Sequence, residues 1–375
     1  MKNMHALKLF TILTAFISCV SQAKPFKIEG VTFTPTLFSV GAGQPSVTVC
    51  DFNSDGNADV IVANYSDNNI GVYQGDGKGN LSETGRYPAG ENPTGIAASD
   101  INDDGYIDIA VANHETSYIT LLFGDGRGGF VKAPQSPFDI GSMPHPHAVQ
   151  LKDLDGDNIE DLIVDSRENK GLLVLSGLAN GKFKSPGYII DAGGDPYRGF
   201  AVNDINDDGA SDLVTPNKQD IGILINSDSN ETPFSLSKLA QSESPFAVEL
   251  ADLNGDTKLD LVVATNGTSV SVIPGNGHGN FDAHRKTVLN VGSGAKQIAV
   301  GDINGDGIED ALVSSWSGEL LAVIGSKAEV KSYKFSHASI SNPWAVALTD
   351  LNNDGNSDIV IADGDSKSAV VYVSK

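Results

Sequence analysis

From about residue 26 to the C-terminus, short apolar runs alternate with polar turns in an order that repeats. In one unit the run Gly95 to Ser99 leads into an acidic loop, and the loop gives way to Asp108-Ile109-Ala110-Val111-Ala112. A polar turn follows, then a second apolar run from Tyr118 to Phe123. A glycine-rich turn from Gly124 to Gly129 and an extended segment from Phe130 complete the unit. Apolar runs this short, bounded by Gly, Asn and Asp, predict four strands joined by tight turns. No segment carries a convincing helical period.

The acidic loop gives the repeat its register. The pattern D-x-[N/D]-x-D-x-x-x-D begins at Asp51, Asp100, Asp153, Asp204, Asp252, Asp302 and Asp350, at successive spacings of 49, 53, 51, 48, 50 and 48 residues. These units fill the chain and leave no room for a second domain. Four antiparallel strands recurring at this period predict an all-β, seven-bladed propeller. The last unit stops after its third strand, Ala369 to Val373, whereas an extended segment, Phe26 to Val40, precedes the first loop. These two are expected to share one sheet, which closes the ring and covers an exposed edge.

Within each loop, oxygen-bearing side chains fall at positions 1, 3, 5 and 9. They are Asp51, Asn53, Asp55, Asp59; Asp100, Asn102, Asp104, Asp108; Asp153, Asp155, Asp157, Asp161; and Asp204, Asn206, Asp208, Asp212. They continue as Asp252, Asn254, Asp256, Asp260; Asp302, Asn304, Asp306, Asp310; and Asp350, Asn352, Asp354, Asp358. Calcium takes six to eight oxygen ligands at flexible geometry, so each loop is expected to wrap one calcium ion, up to seven in all. An EF-hand would need a Glu at position 12, but that place holds Val, Thr or Ile and reads as strand. Position 6 is Gly except at Asn158 and Thr257. Thr tolerates a left-handed backbone poorly, so the fifth loop is expected to be the weakest site. Four side chains and a backbone carbonyl leave no open position of the kind a catalytic metal needs, so the ions are expected to be structural.

Charge supports this reading. The net charge is −23, and the loops hold most of it: six carry three aspartates each and the third carries four, twenty-two carboxylates in all. Without cations they would repel one another. Such an acidic chain lacks the basic face that nucleic acid requires. The start of the chain suggests export. Lys2 and Lys8 flank a polar start, and the 12-residue apolar run Leu9 to Val20 is too short to span a bilayer. Ser21-Gln22-Ala23 predicts signal cleavage before Lys24; the alternative, Phe16-Ile17-Ser18-Cys19, is similar to a lipobox and would leave a lipidated Cys19. No other apolar stretch is long enough to cross a membrane. The mature chain is expected to be a monomer in the periplasm, at the cell envelope or outside the cell. Cys50, in the run Val47 to Cys50, reads as a small buried strand residue, and with no disulfide available the ions would act as the fastening.

The D-x-N-x-D-G-x-x-D loop before an apolar strand, together with turns such as Gly124 to Phe130, resembles the FG-GAP or VCBS repeat, and integrin α-subunit propellers carry similar loops. The resemblance spans about Phe26 to Lys375 and implies the propeller and its calcium sites. It leaves activity open, since similar propellers serve as adhesion modules, as lectins and as scaffolds of polysaccharide lyases. It also implies that ligands bind on the face opposite the calcium loops. There the residue six before the first loop Asp varies across copies two to seven: Thr94, His147, Arg198, Phe246, Lys296 and Trp344. His145 and Tyr197 stand beside it, and the turns between second and third strands add His114, Glu115, Arg167, Glu168, Lys218 and Trp316.

Aromatic rings beside cationic groups suit an acidic glycan, the rings stacking on sugar faces and Arg or Lys holding carboxylate or sulfate. The leading expectation is therefore a non-catalytic binding or adhesion module for a glycan or a protein ligand. The alternative is a lyase acting on uronic-acid polymers, with His145, His147, Tyr197 and Arg198 as base and carboxylate-neutralising groups. A third reading is a subunit of an envelope assembly.

Overall fold

The second strands of the repeats are buried, along their whole length in Asp59–Asn64, Asp108–Asn113 and Asp358–Asp363. Both of their faces pack against neighbouring sheets, which is why these strands read as continuous apolar runs. The outermost strands meet solvent and are mostly exposed, as Leu81–Pro88 is. The computed structural model describes residues 24–141, 145–166, 170–196, 199–227 and 233–375. The signal-peptide and Cys19 readings concern residues outside this set, as do Arg167, Glu168, Tyr197 and Arg198.

Seven antiparallel sheets of four strands, numbered here as blades in chain order, stand around a central channel. In blade 1 the strands are Ser46–Cys50, Asp59–Asn64, Asn69–Gly75 and Leu81–Pro88, from the channel outwards. Seven apolar clusters lie between the blades, one at each junction. The junction of blades 1 and 2 holds Ile61, Ile70, Ile109 and Leu122, and that of blades 7 and 1 holds Val60, Val62, Val360 and Val371. The core is therefore a ring of interfaces.

The ring closes as the chain ends predict. Val31–Ser39 pairs with Ser368–Val373 in register Thr34↔Val373 to Ser39↔Ser368. The N-terminal segment is more than one strand, however. A turn at Glu29 (φ 45°) and Gly30 (φ 98°) folds Phe26–Ile28 back on Val31–Phe33 as a fifth strand of blade 7. Phe26 stacks on Phe33 and Phe335, with ring centroids 5.3 and 4.5 Å away, so the closure also grips blade 6. A second clasp comes from the blade 1 hairpin turn. Gly79 (φ +84°) donates its N–H to Leu351 O at 2.9 Å, and a β-carbon there would stand 2.6 Å from Val373.

The opposite rim has its own fastening. A polar residue at or next to the end of a second strand binds the backbone that enters the same blade. Asn64 accepts from Gly41 N (2.7 Å), Asn113 donates to Ala89 O (2.6 Å), and Asn217 donates to Ala192 O (2.9 Å). Asp165 accepts from His147 N (2.8 Å), and Asp363 from Asn342 N (3.1 Å).

Phe33 is fully buried in the closure, whereas Leu37 on the same strand is 37% exposed. Phe33→Ala is expected to cost about 3–5 kcal/mol and Leu37→Ala well under half of that in equilibrium unfolding. Equal small losses would show that the first strands contribute little to the closed ring.

Candidate ligand face and acidic loops

The acidic loops join first and second strands on one face of the disc. In the first loop, Asp51 accepts N–H bonds from Asp55 (3.1 Å) and Gly56 (2.8 Å). Asn53 accepts from Asp55 N and donates to Asp55 Oδ2, both at 2.9 Å. The loops at Asp204, Asp302 and Asp350 repeat this pattern. Asn158 (φ 64°) and Thr257 (φ 70°) adopt the left-handed conformation without Gly. Their N–H groups bond Asp153 and Asp252 at 2.8 and 2.7 Å, so both turns close as the others do. The fifth loop still differs: Asn254 donates to both oxygens of Asp260, at 2.9 and 3.0 Å, rather than to Asp256.

The ninth-position aspartates have a second role that spacing alone did not reveal. Asp59 is fully buried and accepts N–H bonds from Phe52 (3.1 Å) and from Gly75 at the end of the third strand (2.9 Å). Burial pushes these carboxyls up, Asp108 and Asp310 to about 7 and Asp161, Asp212 and Asp260 to about 6. Acidic neighbours raise them further; in Asp108 these are Asp104 and Asp100. In the third loop, carboxylate oxygens of Asp153, Asp155 and Asp161 lie within 4.8 Å of one another. None of the five ion pairs among the described residues involves a loop carboxylate.

On the opposite face the entry turns and the second-to-third-strand turns surround the channel mouth. A cavity of about 430 Å³ opens there, and Thr94, His147, Phe246, Lys296 and Trp344 all contribute to its wall. The register one reads from the loops thus brings these five together. Lys296 is 5% exposed and sits between two indoles, its Nζ 4.5 Å from the Trp316 ring and 5.2 Å from Trp344. The two rings meet edge to face at 5.1 Å. Lys296 donates to Asn342 Oδ1 and to Pro343 O (3.2 Å). Burial lowers its amine to about 8, against the opposing pull of Asp365 and Asp363. Trp316 remains 47% exposed.

A different chemistry occupies blades 2 and 3. The rings of His114, His145 and His147 lie 4.7 to 5.9 Å apart, and Tyr65 Oη is 3.1 Å from His114 Nδ1. Asp165 holds the backbone of His147 and Ala148, while Thr94 Oγ1 donates to Pro146 O at 3.3 Å. Lys218 is exposed on the blade 4 turn.

Residues outside the repeat pattern complete the site. Asn342 and Pro343 hold Lys296, and no spacing rule marks either. Glu249 projects into the channel wall from blade 5. Desolvation there raises its carboxyl to about 8. Cys50 is half-buried beside the cluster of blades 1 and 2, and burial raises its thiol.

With this geometry in view, the chain belongs to the family of FG-GAP-like repeats, whose model matches residues 51–111, 100–164, 204–263 and 252–313. No curated protein matches it. Among solved structures it is similar to BBS1N, crystallised in complex with ARL6DN and soaked with lead, at 13% identity and a TM-score of 0.61, over 90% of this chain and 95% of that one. It is also similar to an Agrocybe aegerita lectin, whose structure concerns specific recognition of non-reducing terminal N-acetylglucosamine. That match has 17% identity and a TM-score of 0.52, and covers 86% of each chain. At these identities the likeness is one of fold.

The Glu249 carboxyl, ordinarily near 4.5, favours its neutral form in the fold. The stability this group carries is full below 4.5 and is lost as pH rises through about 8. Glu249→Gln, neutral at every pH, is expected to flatten that part of the melting-temperature curve. Parallel curves for parent and variant would count against the raised value.

Proposed function

We propose that the chain is an exported, calcium-stabilised propeller that binds a glycan or protein ligand on the face opposite its acidic loops. The observation that carries this reading is the Lys296–Trp316–Trp344 group at the channel mouth. An exposed indole backed by a second ring offers a stacking platform for a sugar face. The buried amine behind it, when charged, adds a positive potential that favours a carboxylate or sulfate at the platform over a neutral group. Among the two ligand classes, an acidic polysaccharide suits these groups better than a neutral surface.

Calcium fits the loops for reasons of donor chemistry. The oxygens are hard ligands, the carboxylates have no cationic partners among the described residues, and three of them converge in the third loop. At a free ion concentration about ten times Kd, each site would add about 1.4 kcal/mol. Several sites together would rival a typical domain stability of about 5–15 kcal/mol. A lyase acting on uronic-acid polymers is the second reading, favoured by the convergence of His145 and His147, whose rings lie 5.9 Å apart.

Two measurements test these readings. Chelation is expected to lower the melting temperature by many degrees and added calcium to restore it; an unchanged transition would remove calcium from the account. A panel of acidic and neutral polysaccharides is expected to yield a bound polymer without release of new ends. Trp316→Ala should weaken that binding by about 2 kcal/mol or more with the melting temperature unchanged. Release of unsaturated ends, abolished in His147→Ala, would establish the lyase instead.

A further inference from the structure

The histidines of blades 2 and 3 belong to none of the seven interblade apolar clusters, and their chemistry differs from that of the acidic loops. His114 and Glu115 begin the turn after the second strand of blade 2, and His145 lies in the segment entering blade 3. We infer that His114, Glu115 and His145 form a site for a nitrogen-preferring divalent metal ion, zinc by its chemistry, on the ligand face. One potential ligand atom from each residue lies within 4.8 Å of the other two.

Donor type separates this site from the loops. Imidazole nitrogen suits zinc and its first-row neighbours, whereas calcium takes oxygen. Around zinc at about 2.0–2.1 Å, tetrahedral ligand atoms stand about 3.3 Å apart, so the three side chains need to draw in by up to about 1.5 Å. Glu115 is exposed, so its side chain can swing toward the two half-buried imidazoles. The His114 and His145 rings stack on one another, with centroids 4.8 Å apart and planes 25° from parallel.

The surroundings orient the ligands. When His114 Nδ1 carries the proton it donates to Tyr65 Oη at 3.1 Å, which orients the ring and sets the tautomer whose Nε2 would be the ligand atom. Tyr65 itself stands in the helical turn Tyr65–Asp67 of blade 1, so three blades meet at the site. Glu115 (φ 60°) and His145 (φ 110°) both hold backbone conformations rare for side chains of their kind. Three protein ligands leave a coordination position open toward solvent, where a water or a ligand oxygen would sit.

The test uses the untagged chain, stripped of metal and then saturated with calcium so that the acidic loops are filled. It is expected to retain about one equivalent of zinc through desalting. His114→Ala and His145→Ala should each weaken zinc binding by about tenfold or more, with melting temperatures in calcium alone unchanged. Asp252→Asn, which alters only an acidic loop, should retain zinc as the parent does. Cobalt should give intense visible bands in the parent and the pale spectrum of the hydrated ion in the double histidine variant. Zinc retained equally by that double variant, zinc lost in Asp252→Asn, or a hydrated-ion cobalt spectrum in the parent overturns the site.

Discussion

Seven aspartates, Asp59, Asp108, Asp161, Asp212, Asp260, Asp310 and Asp358, are at most 1% exposed, each at the point where an acidic loop becomes a strand. A buried carboxylate is costly unless its oxygens are satisfied. Here backbone N–H groups do so: in Asp310 one comes from Ile303 at 2.8 Å and one from Gly325 at 2.7 Å. Each such residue ties the first, second and third strands of its blade together at one end. The remaining aspartates of the loop stand close by and raise its electrostatic cost. The blade is thus built around a charge that it stabilises only in part, and a cation in the loop would offset the rest. The packing of the blades, and the rim that they hold in place, depend on this junction.

Much of this was legible in the chain because the repeat is local. Loop position 1 sets the register, the register sets the strands, and the residue six before it falls on the channel wall in Thr94, His147, Phe246, Lys296 and Trp344. The pairing of Val31–Ser39 with the last strand followed from one missing strand and one surplus segment. The turn at Glu29-Gly30 did not, because a nine-residue strand and a hairpin carry the same alternation of apolar positions. Position 9 was read as a metal ligand, while its backbone bonds to the third strand depend on a contact some sixteen residues away. Tyr65 beside His114, Asn342 beside Lys296 and the environment of Glu249 are contacts between blades, and nothing within a single repeat marks them.

Seven similar units have produced an uneven rim. Blades 6 and 7 present indoles around an ammonium, while blades 2 and 3 present imidazoles and a carboxylate. The framework permits this because the residues that hold each entry turn, such as Asn64, Asn113 and Asp363, are the last of the second strand, and the variable residues lie beyond them. The residues that fasten the entry turns and those that vary along the rim thus occupy different positions of the repeat.

The closing strands also determine how the ring responds to tension. Thr34 lies opposite Val373 and Thr32 N bonds Lys375 O at 3.0 Å, while Phe26–Ile28 doubles back along Val31–Phe33. The chain therefore enters blade 7 from the Ser39 side and leaves it past Val31, in opposite directions along Val31–Ser39. A pull on both ends would load the two ladders of that strand along their length, so that their hydrogen bonds share the force in shear rather than parting one at a time. A molecule held by its rim would feel no such load, whereas one tethered by both ends would carry it through this one strand.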